Sequence, residues 1–427
     1  MAHERILCTR REFLHTASAV AVGMAMPTFL VRSAAAATEE LGGPIPGFKD
    51  DRILVVVQLS GGNDGLNTLV PFSDDAYYRA RPRIGLKEKD IIKITGDLAF
   101  NASMKPFKDL ADQGKLAIIE GVGYPNPNRS HFRSMEIWQT GVDSDRYSDT
   151  GWIGRYLDNS CSGSAVPEAA TAVSGERPQA FASKKGFGVA FQDPQTYSWT
   201  EGHGDAKEQN FKLMNAVAQP HNDTLDFLRK ITNNAVLSSD RVREIARKYR
   251  GGVDYPKEAF ANSLQTVAKM IAGGLGARIY YVTLTGFDTH ANQLNSHNNL
   301  LQRFTEGVAA FQKDMETQGN ADRVLIASFS EFGRRVGENA SSGTDHGTAA
   351  PMFLVGSMIN AGMAGKRPSL TDLDNGDLKY TTDFRSIYAS VLEQWLGADS
   401  KIVMGKQFGQ VGLIQQKLMA KPQVAAL

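Results

Sequence analysis

Residues 323–356 read RVLIASFSEFGRRVGENASSGTDHGTAAPMFLVG, and this stretch decides the fold. The apolar, β-branched run that begins at Val324 is typical of a strand buried on both faces of a parallel sheet. Polar chemistry starts where that strand ends, with Ser330 and Glu331 first and His346 after a loop rich in Gly, Ser and Asn. In open α/β sheets, ligands bind outside the carboxyl ends of the strands. The stretch therefore predicts a sheet strand that leads directly into a functional site.

The composition is ordinary for a globular protein. The chain has 427 residues, of which 42% are hydrophobic and 22% are charged, so it can form one large α/β domain or two smaller ones. The net charge is +1, from 47 basic and 46 acidic side chains. This balance gives no electrostatic basis for a nucleic-acid partner or for binding to an anionic membrane surface.

Residues 1–37 have the pattern of a twin-arginine export signal. Arg10 and Arg11 precede two apolar residues, an uncharged stretch covers residues 16–31, and small residues follow at 34–37. The uncharged stretch is short and contains Pro27, so cleavage is predicted rather than retention as a transmembrane anchor. We therefore expect recognition by the twin-arginine export machinery and a periplasmic or secreted mature protein.

Three further runs have the composition of buried strands. They begin near Ile53, Leu116 and Ile279, and helical segments alternate with them. This alternation predicts one mainly parallel sheet with helices on both faces. The less regular region at about 150–257 is predicted to be an insertion within a single domain that covers residues 38–427.

Acidic side chains and histidines recur where the predicted strands end. Like charges gathered at one edge of a sheet raise one another's pKa unless a cation relieves the repulsion, so the pattern predicts a divalent metal ion, Zn, Mg, Mn or Ca, and room for a second. Two ions about 4 Å apart would support phosphoryl or sulfuryl transfer. The predicted metal ligands are Asp64, Asp288, His290, Glu331, Asp345 and His346.

A nucleophile is predicted at the start of a helix. Prolines followed by Asn128, Arg129 and Ser130 indicate a loop that leads into a helix ending at Gly141. Free N–H groups at a helix N-terminus favour an ionised nucleophile, and Ser130 is the preferred residue. His131 is the alternative, as a nucleophile or a metal ligand, and a simple capping role for Ser130 is the third interpretation.

These motifs together resemble a known family. The twin-arginine leader, the Gly61–Gly65 turn and the segments beginning at Arg129, Gly286, Glu331 and Asp345 are similar to the exported domain of unknown function 1501, which is placed in the alkaline phosphatase and sulfatase superfamily. The resemblance covers essentially the whole mature chain. It implies an alkaline-phosphatase-like three-layer α/β/α sandwich with a mainly parallel central sheet and an inserted, cap-like region.

The resemblance also implies roles for individual residues. Asp64 matches an aspartate of one metal site, and Asp288 and His346 match ligands of the other. Ser130 or its neighbour takes the nucleophile position. Glu331-Phe332 stands where the superfamily offers Asp-His, so one imidazole ligand is missing, and Arg334 is the charge expected to replace it in binding an anionic substrate.

The function that follows is an exported, metal-dependent hydrolase of phosphate or sulfate esters, acting on a small-molecule or polymer substrate. The alternative is a non-catalytic binding or assembly protein of the cell envelope that keeps the fold with a degenerate metal site. Metal content separates these two predictions.

Overall fold

Strand β1 (Ile53–Ser60) shows why the sheet is covered on both sides in this computed structural model. Its side chains point alternately to opposite faces. Ile53 and Val55 belong to one buried apolar cluster, and Leu54 and Val56 belong to another. Because neither face meets solvent, helices pack against both.

The structure describes residues 50–161, 166–195, 197, 241–247, 249 and 251–415. The predicted export signal and most of the second half of the predicted insertion lie outside these residues. Among the residues that are described, no helix has the length and apolar character needed to cross a membrane.

Within the described ranges, the strands fall into one large sheet and two small ones. The large sheet runs in the order β11-β5-β10-β9-β1-β8-β6-β7, with β14 also paired to β5. Its pairs are parallel except for those of β10, which is antiparallel to both neighbours. After β1, the strands are β2 Leu69–Val70, β3 Ile91–Lys93, β4 Ala99–Asn101, β5 Leu116–Gly123, β6 Ala170–Val173, β7 Val189–Phe191, β8 Ile279–Thr285, β9 Val324–Phe329, β10 Ala350–Val355, β11 Gly362–Gly365, β12 Leu373–Asp374, β13 Asp377–Leu378 and β14 Thr382–Asp383.

Helices cover the two faces of this sheet. Side chains of α3, α6 and α7 pack in the cluster that contains Val55, and side chains of α4, α5, α8 and α9 pack in the cluster that contains Val56. The helices are α1 Gly65–Thr68, α2 Asp75–Ala80, α3 Lys105–Asp112, α4 His131–Thr140, α5 Trp152–Ser160, α6 Ala259–Ala272, α7 Gln293–Thr317, α8 Phe384–Ser390 and α9 Ser400–Met404; residues 241–247 are also helical, and a π-helical segment, Val391–Trp395, follows α8.

The predicted fold class, an α/β sandwich with a mainly parallel central sheet, is confirmed. The four strands predicted near Ile53, Leu116, Ile279 and Val324 all lie in the large sheet. The predicted insertion at about 150–257 differs from the structure in its first half, because β6 and β7 extend the large sheet beyond β8. The boundaries of the domain stay a prediction.

Because β10 is antiparallel to β9, the long connection between them stays at the edge of the sheet where the site lies. β9 ends at Phe329, and β10 starts at Ala350 and runs back alongside it. The connection of residues 330–349 therefore begins and ends at the carboxyl edge of β9 and does not cross the sheet. Glu331, Arg334 and His346 lie in it, next to the ends of β1 and β8.

Candidate metal centre

The ends of β1 and β8 approach each other closely at this edge. Gly61, which follows β1, has a φ of +119°, and a Cβ on it would lie 2.4 Å from the backbone nitrogen of Asp288. A side chain at this position would push the two loops apart, so only glycine suits both the conformation and the contact. The predicted glycine-rich turn thus brings β1 within contact of the segment that carries Asp288 and His290.

Three histidines form the candidate centre, and each has its Nδ1 next to an acceptor. Nδ1 of His131 lies 2.9 Å from Glu331 Oε1, and Nδ1 of His346 lies 2.8 Å from the backbone oxygen of Arg129. Nδ1 of His290 lies 3.4 Å from a carboxylate oxygen of Asp345. In a neutral imidazole only one nitrogen carries a proton, so Nδ1–H donation leaves a lone pair on each Nε2.

All three Nε2 atoms turn toward the carboxylate of Asp288. The Nε2 atoms of His290 and His346 lie 2.9 and 3.1 Å from its Oδ1. Nε2 of His131 lies 3.5 Å from its Oδ2 and, although buried, makes no hydrogen bond with the residues that the structure describes. The Nε2 atoms of His290 and His346 are 3.0 Å apart. Lone pairs and a carboxylate at these distances repel one another unless a proton or a metal ion lies between them.

These donors fit a divalent metal ion. Ligand atoms of His131, Asp288 and His346 lie within 4.8 Å of one another. Imidazole nitrogen and carboxylate oxygen suit zinc, at about 2.0–2.2 Å from the ion. The hydrogen bonds at Nδ1 are those that metal-binding histidines make to fix the orientation of the ring. We therefore take His131, Asp288 and His346 as the metal-binding set, with His290 on its exposed side.

Glu331 was predicted as a metal ligand, but the structure places it behind His131. Its carboxylate is buried, and Oε1 also accepts a hydrogen bond from the backbone nitrogen of Gly61, at 2.8 Å. The hydrogen bond from His131 to Glu331 raises the pKa of the imidazole against the opposing effect of burial. Glu331 therefore orients His131 and increases its basicity instead of facing the centre.

Arg334 was predicted to bind an anionic substrate, and here the structure differs. Its guanidinium is buried and donates to the backbone oxygens of Gly61, Gly62, Phe287 and Thr344 and to Asp288 Oδ1, the last at 2.7 Å. Burial opposes ionisation of Asp288, but the bonds from Arg334 and His346 outweigh it and lower its pKa to about 2. Arg334 thus links the loops that follow β1, β8 and β9, and it keeps Asp288 ionised.

Asp64 was predicted as a metal ligand, but its carboxylate is occupied by protein donors. Arg81 Nη1 lies 2.6 Å from Oδ2, Gln293 donates to the same oxygen, and the backbone nitrogen of Leu66 donates to Oδ1. Burial opposes ionisation of Asp64, yet the guanidinium lowers its pKa below the ordinary value. The positive charge that a metal ion would supply comes instead from Arg81.

Ser130 was the preferred nucleophile, and its position does not support that choice. It is the N-cap residue of α4, it is exposed, and its hydroxyl makes no capping hydrogen bond. The imidazole of His131, one residue later, lies in the centre. Successive residues of a helix point in directions about 100° apart, so only one of the two can face the strand ends.

Asp345 was predicted as a ligand and lies at the rim. Its carboxylate accepts a hydrogen bond from Asn339 at 3.1 Å, and its other close partner is His290. The bond from Asn339 lowers the pKa of Asp345, and His290 adds to that effect against the opposing effect of burial. An ionised Asp345 therefore orients His290.

One protein family model matches part of the chain. Residues 235–418 match the model of DUF1501, which is described as a protein of unknown function. The resemblance predicted from the motifs is confirmed over this segment. The DUF1501 segment holds Asp288, His290, Glu331, Arg334 and His346, whereas His131 lies before it. No curated protein sequence matches the chain.

Several solved structures show a distant similarity. A protein in the alkaline phosphatase superfamily from Vibrio parahaemolyticus is 11% identical, over 85% of this chain and 71% of that one, with a TM-score of 0.41. The PsFucS1 sulfatase from Pseudoalteromonas sp. is 10% identical, over 93% and 77%, with a TM-score of 0.36. The C-terminal periplasmic domain of EcEptC from Escherichia coli, in complex with Zn, is 11% identical, over 90% and 98%, with a TM-score of 0.36.

Proposed function

We propose that this protein is an exported hydrolase of phosphate or sulfate esters that uses one divalent metal ion held by His131, Asp288 and His346. The observation that carries the proposal is the convergence of the histidine Nε2 atoms on Asp288 while each Nδ1 faces an acceptor. Asp64, the ligand predicted for a second metal site, is not available to an ion because its carboxylate is paired with Arg81.

A divalent ion in this site would polarise an ester oxygen and lower the pKa of a bound water. The residues of the chain supply the orientation. Glu331 fixes His131, and Arg334 holds Asp288 in its ionised form. The side chains of Asp288 and His290 are 46% and 44% exposed, so substrate approaches from their side.

His290 is the residue proposed to transfer a proton. It lies on the exposed side of the centre, and Asp345 can orient its ring through Nδ1. A protonated imidazole in this position can donate its proton to the oxygen of the leaving group as a water attacks the phosphorus or sulfur and the ester bond breaks. The neutral ring can then take up the proton that the attacking water releases, which restores the starting state.

We expect His290→Ala to retain the metal ion and to lower turnover by about 10²–10⁴-fold, the usual contribution of a general acid or base. Metal content per chain and kcat should be measured on the same preparation. Asp345→Asn, which keeps the shape of the orienting residue and removes its charge, should give a smaller loss. If His290→Ala loses the metal as well, the ring is a ligand and not the proton donor.

The direct test of the proposed reaction is a panel of phosphomonoester, phosphodiester and sulfate ester substrates, assayed with zinc-loaded and metal-free protein. Turnover that requires the metal and disappears in Asp288→Asn would support the proposal. A metal-loaded protein with no turnover on any class would favour the second candidate, a non-catalytic binding or assembly protein. Asp64 is paired with Arg81, and Arg334 donates to Asp288. Because both side chains are engaged inside the protein, this candidate is favoured.

Export by the twin-arginine pathway is part of the proposal. It rests on Arg10, Arg11 and the uncharged stretch that follows them. Replacing both arginines with lysine should keep the full-length protein in the cytoplasm, because the export machinery recognises the arginine pair. Fractionation followed by immunoblotting checks this, and unchanged export of the double variant would contradict it.

A further inference from the structure

Two half-exposed arginines share one buried carboxylate beside the centre. Arg129 forms an ion pair with Oδ2 of Asp377, and Nε of Arg335 lies 3.5 Å from Oδ1 of the same residue. The side chains of Arg129 and Arg335 are 41% and 38% exposed, whereas that of Asp377 is 1% exposed. We call Arg129 and Arg335 the arginine pair, and Asp377 supplies its carboxylate.

The charges in this group do not cancel. Guanidinium groups remain protonated in proteins, so the two arginines contribute two positive charges against a single carboxylate. Oδ1 of Asp377 accepts no hydrogen bond in the described part of the chain, so Arg335 meets this carboxylate only at ion-pair distance, while its Nη2 donates to the backbone oxygen of Asn375 at 2.9 Å. At least one positive charge therefore faces solvent without an equal negative charge in the group.

Both arginines are joined through the backbone to the metal centre. The backbone oxygen of Arg129 lies 2.8 Å from His346 Nδ1. The backbone nitrogen of Arg335 donates to the oxygen of Asp345 at 3.0 Å, and its neighbour Arg334 forms a β-bridge with His346. An anion bound by the pair would thus lie next to an ester bound at the centre.

We propose that Arg129 and Arg335 form a second anion subsite, which binds a sulfate or phosphate group of the substrate other than the ester that is hydrolysed. Planar guanidinium groups bind such anions through paired hydrogen bonds. The proposal rests on the proposed hydrolase function and specifies its substrate class: esters that carry at least two anionic groups, such as a multiply sulfated or multiply phosphorylated sugar.

The arrangement differs from that of a purely structural ion pair. Arg81 and Asp64 show the structural kind, with both side chains fully buried. In the arginine pair only the carboxylate is buried, and it sits behind two cations that remain accessible. Asp377 thus positions the guanidinium groups, and an anion would displace solvent from their exposed parts.

The test compares ligands with one and two anionic groups. Binding of N-acetylglucosamine 6-sulfate, N-acetylglucosamine 3,6-disulfate, glucose 6-phosphate and glucose 1,6-bisphosphate to the zinc-loaded protein should be measured by calorimetry. We expect at least one doubly charged ligand to bind about tenfold more tightly than its singly charged counterpart, as a charge-assisted pair of hydrogen bonds predicts. The sulfate and phosphate arms show which anion is preferred.

The variant Arg129→Gln with Arg335→Gln should reduce that ratio to about one and leave the singly charged ligand nearly unaffected. Arg129→Lys with Arg335→Lys should restore part of it, and Arg323→Gln is the matched control, because Arg323 pairs with Asp51 before β9, at the opposite edge of the sheet. Equal binding of both ligands by the unmodified protein, or an unchanged ratio in the double glutamine variant, would overturn the subsite. Absence of turnover by the unmodified protein on every ester class, with the ratio present in it and lost in the double glutamine variant, would instead overturn the hydrolase function alone.

Discussion

His131→Ala is expected to weaken metal binding by at least about 100-fold and to abolish turnover, because removal of even an outer partner of a metal ligand costs about 10–100-fold in affinity. The reason is geometric: Nε2 of this ring is buried, faces Asp288 and has no hydrogen-bond partner among the described residues. Its Nδ1 lies 2.9 Å from Glu331 Oε1, which holds the ring in this orientation. Zinc affinity and kcat should be measured together.

Ser130→Ala is the matched control for that variant. Its hydroxyl is exposed and makes no capping bond, so we expect a change in stability within about 0.5 kcal/mol and nearly full metal binding and activity. A loss of turnover in Ser130→Ala with the metal retained would return the nucleophile role to the serine. Full metal binding in His131→Ala would contradict the centre described here.

Arg81→Met is expected to destabilise the protein by about 3–5 kcal/mol, the usual cost of removing one partner of a buried ion pair. The substitution would leave Asp64 ionised and buried without its cation. It would also remove hydrogen bonds from Arg81 to Asn67 and to the backbone oxygen of Val336. The free energy of unfolding from urea titration measures the effect.

Two companion variants separate the causes. Asp64→Asn combined with Arg81→Met should recover part of the loss, because the uncompensated charge is gone. Lys105→Met, which breaks an exposed pair with Asp109 in α3, should cost no more than about 0.5 kcal/mol. A loss below about 1 kcal/mol in Arg81→Met would show that the Asp64 pair is not a structural substitute for a cation.

Much of the sheet could be predicted from local sequence. β1, β5, β8 and β9 each begin with a continuous apolar run, and both faces of such strands are buried. β6 and β7 escaped prediction because strands of four and three residues carry too few positions to show a pattern. Both ends of helix α4 could be predicted. Ser130 is its N-cap residue, and Gly141 ends it with a φ of 69°, a conformation that favours glycine.

The position of the candidate site could be predicted from the sequence, but the contacts between its side chains could not. Asp288, His290 and His346 follow strands or lie in the loop between β9 and β10, and the ends of strands meet at one edge. Asp64 met the same criterion, yet its partner Arg81 is 17 residues later, and no local pattern shows that two such residues touch. The choice between Ser130 and His131 likewise depends on side-chain direction at the start of α4, which sequence does not give.

The most direct test of the account is the number of metal ions that one chain binds. Metal-free protein titrated with zinc in a calorimeter should saturate at about one ion per chain, because three donors converge on one position and Asp64 is paired with Arg81. Saturation at one ion, lost in His346→Ala, would support the centre. Binding of two ions, or of none, would contradict it.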